Sequence, residues 1–227
     1  MPRTQNWIGG SRPGNARFVP PPANAVGPAL GDLERYIHHT EHTLPPLVRV
    51  ALAHAQFETI HPFLDGNGRI GRLLIAMLLE AWEFVPEPLL YVSGYLKKHQ
   101  RAYYDRLSAI RLDGDWEGWV SFFLEAVEAA ADEAQGSIVA IAARIADDRK
   151  RVLELGTSTL ATLRLFELLP TMPRITIDRA AQLLSVTPPT AAKAIQGLQA
   201  ADVLRETTGR SRNQSFLYVS YVQLLVD

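Results

Sequence analysis

The residues best suited to chemistry lie in one segment of the chain, residues 61–72. At its centre, small residues allow successive backbone N–H groups to converge, and a helix that begins near Gly68 adds its positive end. Two arginines in the first turn of that helix lie on one face and can each donate paired hydrogen bonds to phosphate oxygens. The segment therefore predicts a phosphate-binding turn, formed by Gly66, Asn67, Gly68, Arg69, Gly71 and Arg72.

Two further side chains extend the predicted chemistry from binding to catalysis. Asp65 comes just before the turn, where its carboxylate can hold a divalent cation that bridges phosphate groups. His61 stands at the end of an apolar helix, where its imidazole can accept a proton from an incoming hydroxyl. We therefore expect His61 to be a general base and Asp65 a metal ligand.

The glycine spacing also fits two common nucleotide motifs and an ordinary turn. Gly66-x-Gly68-x-x-Gly71 formally matches a dinucleotide fingerprint, but that motif follows a strand, whereas residues 47–60 have a helical pattern. A P-loop needs lysine followed by serine or threonine where this chain has Arg72 and a leucine. A Gly-Asn-Gly turn alone is common in structural loops. The base, the metal ligand and the two arginines in the same segment favour a functional site.

The elements that must position this segment are mainly helical. Proline and glycine crowd residues 1–28 and predict a loop region with a β-hairpin at about residues 5–19. Apolar residues then recur at helical spacing over residues 29–155, and the helix that ends at Ile60 is apolar on almost every face. We predict one helical domain over residues 1–155.

The remainder of the chain, residues 156–227, has a different pattern. It predicts a helix, a short strand, two helices and a hairpin, which is the order of elements in a winged helix-turn-helix domain. Asp178 is expected to cap the first helix of the pair. Side chains that could contact DNA are Lys193 in the second helix of the pair and Arg210 and Arg212 in the hairpin loop. DNA binding and a purely structural or protein-docking role both stay open.

Composition excludes several classes of protein. The 227 residues include 23 Lys and Arg against 24 Asp and Glu, so the whole molecule lacks the basic field of a protein that coats nucleic acid. The absence of cysteine excludes a disulfide scaffold, a thiol nucleophile and a cysteine-ligated zinc. No apolar run is long enough for a membrane span, and no signal peptide is recognisable. We expect a cytoplasmic protein with no membrane partner.

Residues 61–72 match every defined position of the Fic family signature, His-x-Phe-x-Asp/Glu-Gly-Asn-Gly-Arg-x-x-Arg. The chain resembles Fic proteins over roughly residues 3–155. The resemblance implies a Fic helical bundle that uses ATP and Mg²⁺ to transfer AMP to a Ser, Thr or Tyr hydroxyl of a target protein or of the chain itself. It further implies that His61 is the base and Asp65 the magnesium ligand. It also implies a target-docking flap with Trp7, Ile8, Gly9 and Gly10, and adenine contacts from Tyr103 and Tyr104.

Two departures from the family pattern bear on activity. Arg111 stands where many relatives carry an asparagine that contacts the nucleotide. The inhibitory segment Ser/Thr-x-x-x-Glu-Gly/Asn, whose glutamate pairs with the second motif arginine, has only a partial match at Ser121 and Glu125, which we attribute to chance. Since similar relatives carry this segment on an amino-terminal extension, we expect either a shortened protein or a separate inhibitory polypeptide.

Two alternatives to AMP transfer stay open. On the same fold, the site could remove AMP or transfer another phosphate-linked group. In a different class, the chain could be a DNA-binding regulator whose Fic domain senses nucleotide without catalysis. The intact His61 argues against the regulator, because sensing needs no base.

Overall fold

The computed structural model describes residues 4–39, 43–84, 90–156 and 158–226. Its helices are α1 (Ala23–His38), α2 (Pro46–Ile60), α3 (Asn67–Ala81), α4 (Val92–Lys98), α5 (Gln100–Asp113), α6 (Trp116–Glu154), α7 (Leu160–Leu168), α8 (Ile177–Leu184), α9 (Pro188–Ala200) and α10 (Val219–Val226). Its strands are β1 (Arg174–Thr176), β2 (Arg205–Glu206) and β3 (Ser215–Leu217). The predicted mainly helical class is confirmed. Within the described ranges, no helix is both long enough and apolar enough to cross a lipid bilayer.

The chain divides into two compact units, residues 1–134 and residues 135–227. Each unit has its own apolar core. The division falls inside α6, whereas the boundary predicted from the sequence, at residues 155 and 156, lies just after the end of that helix. The functional segment belongs entirely to the amino-terminal unit.

Helix α2 lies at the centre of the amino-terminal unit. Its residues Val50, Ala51 and Ala53 are fully buried, as the apolar pattern predicts. Trp119 of α6 is also fully buried, and its Nε1 donates a hydrogen bond to the carbonyl oxygen of Ala51 at 2.9 Å. Apolar burial is the dominant stabilising term in folding. It fixes α2, and with it the position of His61 at the end of that helix.

The first helix begins earlier than the sequence predicts. Helix α1 begins at Ala23 rather than Ala29, and Pro28 lies inside it. Proline has no amide hydrogen, so the helix loses one backbone hydrogen bond at that position. Val26, one turn into the helix, is buried in the core of the unit. Its apolar burial offsets the lost bond, so the prediction of a loop over residues 23–28 was wrong.

The predicted hairpin at residues 5–19, called the flap below, is smaller than expected. It is a single antiparallel bridge between Ile8 and Phe18, with no extended strands. The Ile8 amide donates to the Phe18 carbonyl at 2.9 Å, and the Arg17 amide donates to the Ile8 carbonyl at 2.9 Å. Asn15 closes the tip, because its Oδ1 accepts two backbone N–H groups at 3.0 Å each.

The second unit contains a three-stranded antiparallel sheet in the order β1, β3, β2, together with the helices α7 to α10. Helix α9 begins after Thr187 with prolines in its first turn, as predicted. The predicted cap of α8 was wrong. Thr176 is the cap, since its Oγ1 accepts the Arg179 amide at 3.3 Å, whereas Asp178 lies inside the first turn. Helix α10 follows the sheet and was not predicted.

A buried carboxylate stabilises this second unit. Asp148 of α6 has no exposed surface. The hydroxyl of Tyr218 donates to its Oδ2 at 2.6 Å. Arg144 lies 3.4 Å from Oδ1, and Arg151 pairs with the same oxygen. Because each carboxylate oxygen has a donor, the burial of this charge is compensated.

Candidate active site

Helix α2 ends at His61 in a conformation that aims the functional segment away from the helix. The residue has φ +50° and ψ +58°, the left-handed region that branched and bulky residues avoid. Its amide still donates to the Phe57 carbonyl at 2.9 Å, and Pro62 then prevents continuation of the helix. Strain of this kind persists where the surrounding structure holds it, and it is typical of functional sites.

The imidazole of His61 is suited to act as a base. Burial lowers its pKa, and the nearby charge of Arg111 acts in the same direction, while the carbonyl of Glu58 partly offsets them. A lowered pKa keeps the ring neutral at neutral pH. A neutral imidazole has a free nitrogen lone pair, so it can accept a proton from a substrate hydroxyl.

The turn after His61 has the geometry of an anion-binding site. Gly66 precedes α3 with φ +86°, which glycine adopts without strain, and its carbonyl accepts the amides of Arg69 and Ile70 at 3.0 Å each. The first positions of the helix, Asn67 and Gly68, have no acceptor within the helix for their N–H groups. These N–H groups and the positive end of α3 can bind a phosphate oxygen.

The side chain of Asn67 has a structural task. It is buried, its Oδ1 accepts the Phe63 amide at 2.9 Å, and its Nδ2 donates to the Phe63 carbonyl at 2.6 Å. An amide is needed here because one side chain must both donate and accept. Asn6 of the flap donates to the same carbonyl at 3.2 Å. The contribution of Asn67 to an anion site therefore comes from its backbone.

The two motif arginines have different environments. Arg72 is half-buried and bends back over the turn, since a Cβ on Gly68 would lie 3.4 Å from its Nη1. Arg69 is exposed and forms an ion pair with Asp65, with 3.3 Å between Nη2 and Oδ2. An exposed pair of this kind contributes little to stability and exchanges partners easily. Arg72 therefore lies beside the start of α3, and Arg69 and Asp65 are exposed next to it.

A cleft of about 320 Å³ opens next to this turn. Among the predicted residues, His61, Gly68, Ile8, Gly9, Tyr103 and Tyr104 line it, and Arg17, Phe18, Glu58, Leu107, Ser108 and Arg111 complete the lining. Trp7 and Gly10 of the predicted flap are not in its wall. Gly10 has φ +73°, and a Cβ there would lie 2.4 Å from the Asn15 carbonyl oxygen, so its role is to form the tip of the flap. A larger, mainly apolar hollow between Leu33 and Trp116 contains none of the motif residues.

Tyr103 and Tyr104 have different positions. Tyr104 is exposed, and the guanidinium of Arg17 lies 5.5 Å from the centre of its ring. Tyr103 is buried, and its hydroxyl lies 3.0 Å from Nε2 of His54. Tyr104 therefore presents an exposed ring to the cleft, with Arg17 over one face, whereas Tyr103 is tied to the core.

Sequence analysis missed His54, which connects three helices behind the site. Its ring is fully buried, Nδ1 lies 2.9 Å from the Gly71 carbonyl oxygen, and Nε2 lies 3.0 Å from the Tyr103 hydroxyl. Nδ1 must donate to the carbonyl, so Nε2 accepts from Tyr103. Burial is the main cause that lowers the pKa of His54 to about 4. Helix α2 also carries Arg49, Gln56, Glu58 and Thr59, so the sequence gives no local signal that sets His54 apart from the other polar residues of this helix.

Arg111 fastens the flap to the end of α2. Its Nη2 donates to the Glu58 carbonyl at 3.1 Å, and its Nε donates to the Thr59 hydroxyl at 3.4 Å. Its guanidinium lies 3.7 Å from the centre of the Phe18 ring, within the range of a cation–π contact. The arginine that departs from the family pattern therefore lies in the wall of the cleft.

Glu58 was also missed by sequence analysis. Its side chain is buried beside the cleft, and burial raises its pKa, while the charges of Arg111 and Arg72 and the Tyr103 hydroxyl act against this effect. Gly71 permits this arrangement, because a Cβ there would lie 2.4 Å from Glu58 Oε1. The close approach of α3 to α2 thus requires glycine at position 71.

The remaining predicted residues do not line the cleft. Lys193, Arg210 and Arg212 are exposed in the second unit. Glu125 accepts a hydrogen bond from the hydroxyl of Ser121 at 3.5 Å on the same helix. Within the described ranges, no three His, Cys, Asp or Glu side chains are grouped as a protein-only metal site would need.

Together, the fold and the cleft describe a class of protein: a helical protein in which a half-buried histidine comes just before a helix whose first N–H groups are free to bind an anion. Comparison with known proteins makes this class specific. Residues 2–79 match the Fic/DOC family model. The chain therefore carries a Fic/DOC family domain in its amino-terminal unit.

The similar proteins fall into two groups. The proteins named "Protein adenylyltransferase Fic" from Drosophila erecta and Drosophila grimshawi are 32% identical over 132 residues and 33% identical over 131 residues. Each match covers 57% of this chain and 24% of the relative, so the chain spans about a quarter of those proteins. A crystal structure of a Fic family protein from Desulfovibrio desulfuricans matches with a TM-score of 0.50 and 25% identity, over 88% of this chain and 57% of that one.

Proposed function

We propose that this chain is a protein adenylyltransferase, which transfers AMP from ATP to a Ser, Thr or Tyr hydroxyl of a target protein or of the chain itself. The observation that carries the proposal is the placement of a neutral, half-buried His61 in the wall of the same cleft as Gly68 at the start of α3. A base and an anion site in one cleft are what nucleotidyl transfer to a hydroxyl requires. The similarity to the two Drosophila proteins named adenylyltransferases supports the same activity.

The proposed reaction is a displacement at the α-phosphorus. The substrate hydroxyl oxygen attacks that phosphorus, its proton passes to His61, and pyrophosphate leaves. The N–H groups of Asn67 and Gly68, with the guanidinium of Arg72, stabilise negative charge on the phosphate oxygens. Arg69 exchanges its exposed ion pair with Asp65 for the outer phosphates.

We propose that Asp65 holds the magnesium ion. The Asp65 side chain is 92% exposed, and the ion pair with Arg69 lies in solvent, so a cation can replace the arginine. Magnesium is often bound by one or two carboxylates together with substrate phosphates, so a single aspartate beside the turn fits this ion. When bound, the ion neutralises phosphate charge and helps to orient the leaving group.

The rest of the cleft suits the nucleoside and the target. We assign Tyr104 to the adenine as a stacking surface, and Tyr103 to the support of that wall through its hydrogen bond with His54. We assign the flap to target docking, through backbone groups on either side of its single bridge, since a strand edge binds extended peptides with little sequence preference.

The proposal is tested by separating transfer from binding. In His61→Ala we expect AMP transfer to fall by about 10²- to 10⁴-fold under single-turnover conditions, with the dissociation constant for ATP nearly unchanged. The matched control is His99→Ala, which removes an exposed ring that stacks on Tyr95. Transfer at the wild-type rate in His61→Ala would exclude this histidine as the base.

For the second unit we propose a winged-helix domain that contacts DNA through Lys193, Arg210 and Arg212. Support comes from the order of its elements, which match the helix, strand, two helices and hairpin of that class, and from the exposure of all three basic residues. Affinity for duplex DNA should fall steeply as salt rises. The absence of binding at low salt would favour a structural or protein-docking role.

A further inference from the structure

Glu58 is a buried acid for which the proposed reaction has no use. Only 5% of the residue is exposed, and its Oε1 makes no hydrogen bond to any described residue. Arg111 donates to the backbone carbonyl of Glu58, not to its carboxylate. The Tyr103 hydroxyl partly compensates the burial of this group, but a buried carboxylate oxygen that lacks a donor is costly, so its presence at the edge of a cleft calls for an explanation.

The carboxylate of Glu58 lies close to Gly68, which belongs to the proposed anion site. A Cβ built on Gly68 would lie 3.9 Å from Glu58 Oε1 and 3.4 Å from Arg72 Nη1. The carboxylate and the guanidinium therefore flank the same point, at the residue whose N–H group faces an incoming phosphate. Glu58 and Gly68 also line the same cleft.

Charged and titratable groups surround Glu58 on every helix packed against it. Arg72 reaches it from α3, and Arg111 and Tyr103 reach it from α5. On its own helix, His54 lies one turn earlier and His61 follows at the end. The two arginines attract anions, whereas the ionised carboxylate of Glu58 repels them. The charge of Glu58 thus sets how strongly Arg72 and Arg111 attract an incoming phosphate.

We infer that Glu58 is a specificity-determining residue that weakens the binding of polyphosphates, and more strongly as the ligand carries more charge. The inference rests on the proposed nucleotide site. The ionised carboxylate cancels part of the field of Arg72 and Arg111 and repels the phosphates. When it takes up a proton, the repulsion ends, and the acid can donate a hydrogen bond to a phosphate oxygen.

The direction of the pKa shift fits this role. Burial raises the pKa of Glu58, so its neutral form persists to a higher pH than that of an exposed glutamate. Affinity for polyphosphates should therefore be greatest below the raised pKa and should fall as the pH rises through it. Adenosine, which has no phosphate, should show no such dependence.

The test compares three ligands and two substitutions. Dissociation constants for adenosine, AMP and ATP are measured by titration calorimetry with magnesium, at about pH 8 and about pH 5.5. Glu58→Gln removes the charge and keeps the shape. Glu80→Gln, an exposed residue of α3, is the matched control. Glu58→Met, of similar volume, serves as the second variant if circular dichroism shows that Glu58→Gln does not fold.

We expect Glu58→Gln to bind ATP about tenfold or more tightly than wild type at the higher pH, to gain less for AMP, and to bind adenosine equally. The gain should shrink at the lower pH. Equal or weaker ATP binding by a folded variant, with adenosine unchanged, would overturn the inference and leave the nucleotide site intact. If neither protein binds ATP, the proposed nucleotide site is wrong, and the inference is wrong with it.

Discussion

The hydrogen bonds of His54 make a specific prediction about stability and pH. This ring is fully buried between the Gly71 carbonyl and the Tyr103 hydroxyl, and its pKa falls from 6.5 to about 4 on folding. The unfolded chain therefore binds one more proton than the folded chain between these values, so stability is complete above about pH 6.5 and is lost as the pH falls toward 4. The full difference in the pKa of His54 corresponds to about 3 kcal/mol in the free energy of unfolding.

The substitution His54→Gln isolates this contribution. Glutamine does not titrate in this range, and its amide can donate to one partner and accept from the other. Other groups also respond to acid: the lowered pKa of His61 acts in the same direction, and the raised pKa of Glu58 acts in the opposite one. Because these groups are unchanged in the variant, the difference between variant and wild type reports His54 alone. His99→Gln is the control, because its ring is exposed.

The assay is urea unfolding followed by tryptophan fluorescence at about pH 7 and about pH 4.5. All 4 tryptophans precede residue 135, so the signal reports only the amino-terminal unit. Between the higher and the lower pH, we expect the free energy of unfolding of wild type and of the control to fall by about 2 to 3 kcal/mol more than that of His54→Gln. Equal losses in all three proteins would refute the assignment of a neutral, hydrogen-bonded His54.

Two further predictions concern packing. Gly71→Ala should lose about 1 to 3 kcal/mol of stability and weaken ATP binding, because its Cβ would lie 2.4 Å from Glu58 Oε1. Gly136→Ala, in a helix with open space around it, should instead gain about 0.5 to 1 kcal/mol; equal stability of the two alanine variants in urea would contradict the crowding at Gly71. Asp148→Ala should cost about 2 to 3 kcal/mol, because it leaves the buried Tyr218 hydroxyl unpaired. Hydrogen exchange in residues 158–226 measures this loss, and unchanged protection there would contradict it.

The geometry of the candidate segment could be predicted from the sequence because it is local. The turn at residues 66–68, the left-handed glycine before α3 and the position of His61 after an apolar helix all depend on neighbours in the chain. The buried face of α2 was equally readable, since an apolar pattern on all sides predicts a central helix. The start of α1 was missed because proline locally argues against helix, whereas the core contact of Val26 is a tertiary effect.

The roles of His54 and Arg111 could not be predicted from the sequence, because they depend on distant contacts. His54 faces Gly71 and Tyr103, which are 17 and 49 positions away. Arg111 contacts the end of α2 across 52 and 53 positions. No local sequence pattern distinguishes such residues from polar residues on the exposed surface of a helix. Their burial becomes visible only when α2, α3 and α5 are packed together.

AMP transfer is tested most directly by the fate of differently labelled ATP. The chain is incubated with magnesium, a cell lysate and ATP that carries the label on either the α- or the γ-phosphate, in parallel with His61→Ala. We predict that labelled protein that appears with the wild-type chain and is absent with His61→Ala comes from the α-label only. A γ-label signal that depends on His61, or α-label incorporation that is equal in the two proteins, would contradict the proposed function.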